Sequence, residues 1–337
     1  MTITLGHIGL GYWGPNLLRV FMGIDECTVA AVCDLNTAQL NNVRAHNSDI
    51  QTTKNYKDLI SNTSLDAVVI ATPTRDHYQI AIDALKAHKH IFVEKPLAMT
   101  TDQCRELIEQ AEKNKKVLMV GHLLKYHPAV HKVKDYLENG EIGKIRYLYT
   151  TRVNLGKIRD VENVMWSLAP HDISTILYFL DTNKPTGISV VGESYLQNNI
   201  CDVAFLTLFF ESNIFATMHV SWLDPHKIRK MTLVGDKKMI VLDDMQPNEK
   251  VRLYDAGVDF KFNYTDFQHY LSLRHGDVII PKIDMKEPLV NECRHFCECI
   301  NHNKQPVSDG ADGLRVVQIL EAADRSLHQK GSYIPIS

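Results

Sequence analysis

Three consecutive residues, Glu94, Lys95 and Pro96, could carry out chemistry at the end of a short apolar stretch. The preceding residues 91–93 are apolar and favour a β-strand, which must end here because proline has no N–H to donate to a sheet. In open parallel sheets, ligands bind at the carboxyl ends of the strands. Lys95 at such a position could hydrogen-bond a substrate hydroxyl. The alternative is an ordinary strand end with two solvated charges.

A glycine-rich turn formed by Gly9, Gly11 and Gly14 follows a predicted strand over residues 3–8 and precedes a predicted helix. In this spacing the first glycine permits a tight turn, the second lets backbone approach a pyrophosphate, and the third lets the helix pack on the strand. Free N–H groups at the helix N-terminus would face the phosphates. The spacing therefore predicts a dinucleotide site, although the motif alone is a weak signal.

Asp34 completes the dinucleotide pattern. It ends a predicted strand over residues 29–33 and lies about 20 residues after Gly14, as the dinucleotide fingerprint requires. A carboxylate there accepts hydrogen bonds from the adenosine ribose hydroxyls and repels a 2′-phosphate. No lysine or arginine follows before Arg44, so NAD is favoured over NADP as the cofactor.

Strands and helices alternate through the first part of the chain, which predicts an α/β fold. The predicted elements after the glycine turn are strands over residues 66–71, 91–94 and 116–120 and helices over residues 76–87 and 101–114. This order is typical of a Rossmann domain with a doubly wound parallel sheet, here over residues 1–122. Thr72-Pro73 and Glu94-Lys95 then fall at carboxyl strand ends and should face the cofactor crevice.

The pattern changes after His122, where long strands joined by short turns begin. The predicted elements are helices over residues 128–139, 171–180, 288–301 and 310–330, and strands over residues 145–153, 188–196, 203–211, 215–223 and 231–234. They predict a second, α+β domain over residues 123–337 with a large, mostly antiparallel sheet. One sheet face needs a cover, which predicts a homo-oligomer, a dimer or tetramer, through this sheet. The two C-terminal helices should pack back towards the first domain.

Composition argues against two classes of partner. The 337 residues are 23% charged and 45% hydrophobic, which is typical of a soluble globular protein. A net charge of −3 provides no electrostatic footprint for nucleic acid. The longest apolar run, residues 203–210, is far shorter than a membrane span, and no signal-peptide pattern opens the chain. We therefore expect a cytoplasmic protein without nucleic-acid or membrane partners.

Seven cysteines, an odd number, favour free thiols in a reducing compartment. Cys293, Cys297 and Cys299 lie close to His295, which raises the possibility of a metal site. Their helical context favours small buried cysteines on an apolar face instead. No metal site is predicted.

Several of these motifs together resemble the Gfo/Idh/MocA oxidoreductase family, and the resemblance extends over the whole chain. They are the glycine turn, Ala71-Thr72-Pro73, Glu94-Lys95-Pro96 and Ala169-Pro170-His171-Asp172. Residues 121–129, 152–156 and 166–172 are similar, more narrowly, to nucleotide-sugar 3-dehydrogenases that act on UDP-N-acetylglucosamine or its uronic acid. Those enzymes make a 3-keto sugar, which a pyridoxal-phosphate aminotransferase converts to an amine.

The resemblance implies a site for NAD and two catalytic residues. The implied NAD-binding residues are Gly9, Gly11, Tyr12, Trp13, Gly14, Asp34, Thr72, Pro73, His77, Glu94 and Lys95. Residues matching Lys95 and His171 flank the reacting hydroxyl in the family. His171 is the more natural general base, and Lys95 would position the oxygen, stabilise alkoxide charge or pass the proton on.

The chain departs from the family pattern at Ser167. Many relatives carry an aspartate four residues before the histidine, where a carboxylate would orient the imidazole and raise its basicity. Either Lys95 takes a larger share of the proton transfer, or His171 works unaided. Asp172 is adjacent to His171 and should point elsewhere on a helix.

Five further residues are candidates for binding the substrate: Tyr126, Arg152, Asn154, Arg159 and Trp166. Arg152 could contact the sugar nucleotide or form a salt bridge from a strand. Arg159, together with Lys157, could bind a diphosphate or remain solvated. Tyr126 and Trp166 could pack against sugar or nicotinamide, or lie in the core.

These features predict an NAD-dependent dehydrogenase that oxidises C3 of a UDP-N-acetylhexosamine. The alternatives are oxidation of the corresponding uronic acid, reduction of a keto sugar, and oxidation of an inositol or a free sugar. An inactive NAD-binding regulator is an alternative of another class. The presence of both Lys95 and His171 argues against the regulator.

Overall fold

A computed structural model describes residues 2–156, 158–181, 184–263 and 268–336. It divides into two compact units. Unit 1 comprises Met1–Tyr126 and Lys286–Glu321, and unit 2 comprises His127–Met285 and Ala322–Ser337. This division differs from the predicted boundary at residue 122, because residues 286–321 belong with the N-terminal part of the chain.

Unit 1 contains a six-stranded sheet in the order β3-β2-β1-β4-β5-β6. Its described pairings are all parallel. The strands are β1 (Ile3–Ile8), β2 (Cys27–Cys33), β3 (Gln51–Thr53), β4 (Ala67–Ile70), β5 (His90–Glu94) and β6 (Leu118–Gly121), and the intervening helices are α1 (Gly14–Met22), α2 (Thr37–His46), α3 (Tyr56–Ser61), α4 (Thr74–Lys86) and α5 (Thr101–Asn114). The strand order reverses between β1 and β4, as in a doubly wound sheet, so the predicted Rossmann domain is confirmed.

The core of unit 1 explains why a C-terminal helix belongs to it. All four residues of β4 are buried, as expected for a strand covered on both faces. Phe21, Phe92 and Phe296 pack edge to face with ring centroids 5.8–6.3 Å apart. Phe296 lies on α8 (Pro288–His302), and this contact confirms the expected packing of that helix on the first domain. All seven cysteines are free and buried.

Unit 2 contains a nine-stranded sheet in the order β14-β13-β12-β11-β7-β10-β9-β8-β15. Among the described residues the pairings are antiparallel except for β7 with β10. The elements are α6 (Pro128–Glu138), β7 (Ile145–Val153), α7 (Val164–Phe179), β8 (Pro185–Glu193), β9 (Val203–Phe210), β10 (Phe215–Ser221), β11 (Ile228–Gly235), β12 (Met239–Asp243), β13 (Val251–Asn263), β14 (Gln268–Ile279), α8, α9 (Gly310–His328) and β15 (Ile334–Pro335), with α8 and the start of α9 in unit 1. The mostly antiparallel sheet is confirmed.

Helix α7 begins seven residues earlier than predicted. The prediction placed its start at residue 171, because proline is common in the first turn of a helix. Instead Pro170 lies inside the helix, and Asn163 forms the N-cap. The Asn163 side chain accepts hydrogen bonds from the backbone N–H groups of Met165 and Trp166. Trp166 and Ser167 therefore lie on the same helix as His171.

Strands β12 to β14 were absent from the prediction. In β12, buried residues alternate with half-buried ones, and the surrounding charged residues obscure this period-two pattern in the sequence. None of the described helices is both long and apolar enough to cross a membrane.

Candidate active site

The glycine turn lies at the carboxyl end of β1. Gly9 has φ +99°, and a Cβ there would lie 2.6 Å from the carbonyl oxygen of Ala71, so a side chain does not fit. A Cβ on Gly14 would overlap the carbonyl oxygen of Gly9. Gly11, by contrast, has open space where its Cβ would be. The turn thus leaves room for a ligand to approach the backbone N–H groups at the start of α1.

His7, which the sequence analysis did not identify, supports this turn from within β1. Its Nε2 lies 2.9 Å from the carbonyl oxygen of Gly9. Burial lowers the pKa of His7 to about 4, so the ring is neutral near pH 7 and has one N–H for this carbonyl. Alternation of side chains along a strand gives no hint of such a contact.

Asp34 lies at the carboxyl end of β2 and accepts two backbone hydrogen bonds. The N–H of Leu10, in the glycine turn, donates to its Oδ2 at 2.5 Å, and the N–H of Asn36 donates to its Oδ1 at 2.7 Å. A carboxylate has about four acceptor positions, so these two bonds leave capacity for the two hydroxyls of a ribose. The structure therefore brings Asp34 to the glycine turn, as the dinucleotide pattern requires.

His77 connects the ends of two neighbouring strands. It is 1% exposed, with Nδ1 2.8 Å from the carbonyl oxygen of Pro96 and Nε2 2.9 Å from that of Thr72. Burial lowers the pKa of His77, and a neutral ring can donate to one of these carbonyls. His77 thereby holds the loops after β4 and β5 together, while its direct contact with NAD stays a prediction. Pro73 is the N-cap residue of α4.

Glu94 ends β5 in low-dielectric surroundings. Burial raises its pKa to about 7, against the opposing effects of the Lys95 charge, the Lys95 N–H at 3.2 Å and the Trp13 side chain. Glu292 of α8 is fully buried, and burial and the Glu94 charge raise its pKa well above the usual range. Glu94 therefore titrates near neutral pH, next to the predicted catalytic lysine.

These residues fit NAD. The hydroxyl of Thr72 is buried without a hydrogen-bond partner among the described residues, so it can bond a cofactor oxygen. Gly11 provides open space and Asp34 provides acceptors for a ribose. Tyr12, beside Gly11 in the turn, is 80% exposed and offers an aromatic surface, while the partly buried Trp13 packs against the core.

In unit 2, His171 lies on α7 and is partly exposed. Its backbone carbonyl accepts hydrogen bonds from the hydroxyls of Ser174 and Thr175. The neighbouring Asp172 forms a two-point ion pair with Arg152, at 3.0 Å from Nε and 2.8 Å from Nη2. Asp172 is therefore paired with Arg152 on strand β7. This pairing argues against Asp172 as a substitute for the aspartate that was expected at position 167.

Arg229, which the sequence analysis missed, lies directly across from Arg152 in the β11–β7 pairing. It donates to the carbonyl of Val153 at 2.8 Å and to Oδ1 of Asn154 at 2.5 Å. Burial and the Arg152 charge lower its pKa to about 10, so it remains charged at neutral pH. The negative charges of Asp172 and Asp244 oppose this effect. Arg152 thus makes the predicted salt bridge with Asp172.

Two predicted aromatic contacts are core residues in the structure. Tyr126 is 4% exposed and its hydroxyl lies 2.8 Å from Oγ of Ser308. Trp166 is 6% exposed and its Nε1 donates to Asp324 at 2.6 Å. These contacts support the alternative that both residues lie in the core, and we do not propose either as a substrate contact.

Arg159 pairs with Glu162 at 3.1 Å and its side chain is 39% exposed. This is the geometry of a surface ion pair, which adds little stability and leaves the guanidinium accessible. Lys157, the other predicted diphosphate contact, lies outside the described residues.

Comparison with known proteins agrees with this arrangement. Residues 3–122 match the oxidoreductase family with the NAD-binding Rossmann fold, and residues 130–241 match the GFO/IDH/MocA C-terminal domain. The chain belongs to the Gfo/Idh/MocA family of oxidoreductases. It is therefore an NAD-binding dehydrogenase of the kind that acts on hydroxyl groups.

Individual members of the family are similar over nearly the whole chain. UDP-N-acetylglucosamine 3-dehydrogenase from Acidithiobacillus ferrooxidans is 25% identical, covering 93% of each chain, and its solved structure superposes with a TM-score of 0.80 over 98% of this chain and 99% of that one. Myo-inositol 2-dehydrogenase from Thermotoga maritima is 24% identical, covering 97% of each chain. The structure of GenD2 from gentamicin A biosynthesis, in complex with NAD, has a TM-score of 0.84 at 18% identity, covering 100% of this chain and 97% of that one.

The raised pKa of Glu94 predicts a pH-dependent effect on the stability of this dehydrogenase. Its pKa is about 7 in the folded chain and about 4.5 ordinarily, so the unfolded chain loses this proton first as the pH rises. Folding stability should fall between these two pH values and level off above them. We define the effect of Glu94→Gln as the free energy of unfolding of the cofactor-free variant minus that of the parent. This difference should be more favourable to the variant at pH 8 than at pH 4.5, by roughly 1–3 kcal/mol.

Urea denaturation at pH 4.5 and pH 8 measures this difference. Glu112→Gln, which neutralises an exposed glutamate on α5, is the matched control and should change stability little at either pH. An equal effect of Glu94→Gln at both pH values would contradict the buried titration.

The position of Asp34 predicts the cofactor preference. Asp34→Ala removes the ribose acceptor and the repulsion of a 2′-phosphate, so the ratio of NAD to NADP affinity should fall about tenfold or more. Asp34→Asn is the control for backbone support, since its Oδ1 still accepts one of the N–H bonds. Titration calorimetry with both cofactors provides the ratio, and discrimination like that of the parent would show that Asp34 does not bind the ribose.

Proposed function

We propose that this dehydrogenase oxidises the C3 hydroxyl of a UDP-N-acetylhexosamine, of the UDP-N-acetylglucosamine type, to a 3-keto sugar with NAD. The observation that carries the proposal is the similarity over 93% of the chain to a UDP-N-acetylglucosamine 3-dehydrogenase. The presence of Lys95 and His171 supports it. A 3-keto sugar nucleotide is a substrate class for pyridoxal-phosphate aminotransferases, so we place the enzyme before such a step in amino-sugar and polysaccharide synthesis.

The proposed chemistry assigns separate tasks to NAD, His171 and Lys95. The C3–H bond breaks and its electron pair leaves as hydride, which bound NAD accepts. The O–H proton passes to the imidazole of His171, the general base. Lys95 donates a hydrogen bond to the same oxygen and stabilises its negative charge as the proton leaves.

The environment of His171 supports a base without the carboxylate found in many relatives. Ser167 occupies the position one helical turn before it, and Asp172 is held by Arg152 at 2.8 Å. Because Ser167 has no carboxylate, we propose that Lys95 takes a larger share in stabilising the alkoxide.

The two neighbouring guanidinium groups of Arg152 and Arg229 in unit 2 form a cluster that suits an anionic substrate. Guanidinium groups bind diphosphate and carboxylate oxygens with two parallel hydrogen bonds. We propose that this cluster attracts the nucleotide diphosphate or, in the uronic acid alternative, the C6 carboxylate. A neutral inositol, which the relative from Thermotoga maritima oxidises by its name, has no group for this charge.

A panel of substrates distinguishes these possibilities. Purified protein with NAD should show absorbance of reduced nicotinamide with UDP-N-acetylglucosamine or its uronic acid. Turnover with myo-inositol or a free sugar instead would replace the proposed substrate. Binding of NAD and sugar nucleotide without turnover would identify a regulator.

Replacing either proposed catalytic residue should slow turnover without preventing cofactor binding. Lys95→Ala and His171→Ala should each lower kcat by about 10²-fold or more, since each removes a group that acts on the reacting hydroxyl. Lys86→Ala and His226→Ala, at exposed positions of unit 1 and unit 2, are the matched controls. Steady-state kinetics and NAD titration measure both effects, and parental kcat in both active-site variants would exclude the assignment.

We also propose that the dehydrogenase forms a homo-oligomer through one face of the unit 2 sheet. Aromatic side chains collect there: Tyr147 stacks on Phe215 at 5.6 Å and Phe205 on His219 at 4.2 Å. Phe205 is 56% exposed, which is unusual for so large an apolar surface unless a second subunit covers it.

A charge on this face should separate the subunits. Phe205→Lys should lower the sedimentation coefficient towards that of a monomer, whereas Val161→Lys, at an exposed apolar residue outside the sheet, should not. A parental chain that sediments as a monomer would contradict the proposal.

A further inference from the structure

A buried aspartate–histidine pair lies in unit 1, and the sequence assigned neither residue a role in the site. His122 follows the last residue of β6, and Asp312 lies in the first turn of α9. Both side chains are 1% exposed, and Nδ1 of His122 lies 2.6 Å from Oδ2 of Asp312. The two residues are distant in the sequence, so no local pattern indicates the pair.

The strand register places His122 beside Lys95. In the parallel pairing of β5 with β6, Glu94 is opposite Gly121. Lys95 and His122 directly follow these two residues, just beyond the ends of β5 and β6, and neighbouring strands lie about 4.8 Å apart. The backbone of each therefore starts from a neighbouring point on the carboxyl edge of the sheet.

The first turn of α9 also reaches the loop that carries Lys95. A Cβ on Gly313 would lie 2.9 Å from Cδ2 of Leu97 and 2.8 Å from Cγ2 of Val120. The helix turn that carries Asp312 thus packs closely on Leu97, in the loop after β5, and on Val120 of β6. The close fit leaves little freedom for the carboxylate.

The charge of Asp312 determines which nitrogen of His122 carries the proton. Burial opposes ionisation of Asp312, but His122 and Lys125 outweigh it and lower its pKa to about 2. Lys125 lies 2.6 Å and Arg315 3.5 Å from its Oδ1. A carboxylate only accepts hydrogen bonds, so Nδ1 of His122 is the donor in this pair and Nε2 is the remaining polar atom of the ring.

Nε2 of His122 is buried without a hydrogen-bond partner among the described residues. A buried acceptor without a donor is costly, by about 1–3 kcal/mol, and therefore uncommon outside functional sites. The adjacent strand end carries a side chain with three N–H donors, that of Lys95. Hydrogen bonds at active sites often form only when the ligands are bound.

We propose that His122, held by Asp312, is a positioning residue that accepts a hydrogen bond from the ammonium of Lys95 when NAD is bound. This inference rests on the proposed function, because it requires that Lys95 acts on the reacting hydroxyl. His122 neither gains nor loses a proton in the reaction: hydride goes to NAD and the hydroxyl proton to His171. Its task is to direct another N–H of Lys95 at the developing alkoxide.

Two variants of His122 separate this role from a merely structural one. Asparagine keeps an N–H donor near Nδ1 for Asp312 but has no acceptor near Nε2. Glutamine, which is longer, can place its amide oxygen near Nε2. We expect His122→Asn to lower kcat about tenfold or more with little change in KM or NAD affinity, and His122→Gln to recover at least about threefold of that loss.

His127→Asn is the matched control. His127 is also buried and lies 3.4 Å from a carboxylate, that of Asp244, and it caps α6 through Ala129. Asparagine is a good N-cap residue, so this variant should keep the parental kcat. Parental kcat in His122→Asn, or equal losses in both His122 variants with equally lowered melting temperatures, would overturn the positioning role.

A measurement that needs no turnover tests the same contact. In the NAD-bound protein labelled with ¹⁵N-histidine, nuclear magnetic resonance should show the Nδ1–H tautomer of His122. Lys95→Met should move the Nε2 resonance towards that of an unbonded nitrogen. An Nε2–H tautomer, or an Nε2 resonance that Lys95→Met leaves in place, would overturn the inference even if UDP-sugars are substrates. The expected shift without turnover of any UDP-sugar would support the contact and refute the proposed substrate.

Discussion

Burial of ionisable side chains at the carboxyl edge of the six-stranded sheet is the constraint on which the candidate site depends. Low-dielectric surroundings disfavour charge, so each such group must be neutral or firmly paired. His7 and His77 are neutral and bond backbone carbonyls of the loops. Glu94 has a pKa of about 7. The loops that meet NAD are therefore held in place by interactions that the surroundings make strong.

Two aspartates illustrate how pairing divides the polar residues between tasks. Asp172 is committed to Arg152 in unit 2, which keeps it from acting on the neighbouring His171. Asp312 is committed to His122 and Lys125 in unit 1. The role of Asp172 or Asp312 could not be assigned from the sequence, because the sequence does not show which residue each one pairs with.

Much of the fold was predictable because the local sequence patterns favour the same helices, strands and turns that the folded chain contains. The glycine spacing, Asp34 and the strand ending at Pro96 each have a short-range physical cause. The start of α7 was mispredicted because Pro170 is tolerated inside that helix, while Asn163 supplies the cap. Strands β12 to β14 were missed because half-buried strands with charged residues lack a clear hydrophobic period. Residues 286–321 follow the second domain in the sequence but pack with unit 1, because adjacency in sequence does not determine packing.

The sequence by itself determined the family, the cofactor class and the residue types available for chemistry, because motifs such as the glycine turn depend on neighbours a few positions away. Only the tertiary structure decided which of these residues have partners. Tyr126 and Trp166 became core residues through contacts with Ser308 and Asp324, and His122 met Asp312 across 190 positions. Hydrogen bonds and ion pairs act over a few ångströms in space, so long-range pairs emerge only when the folded chain brings their side chains together.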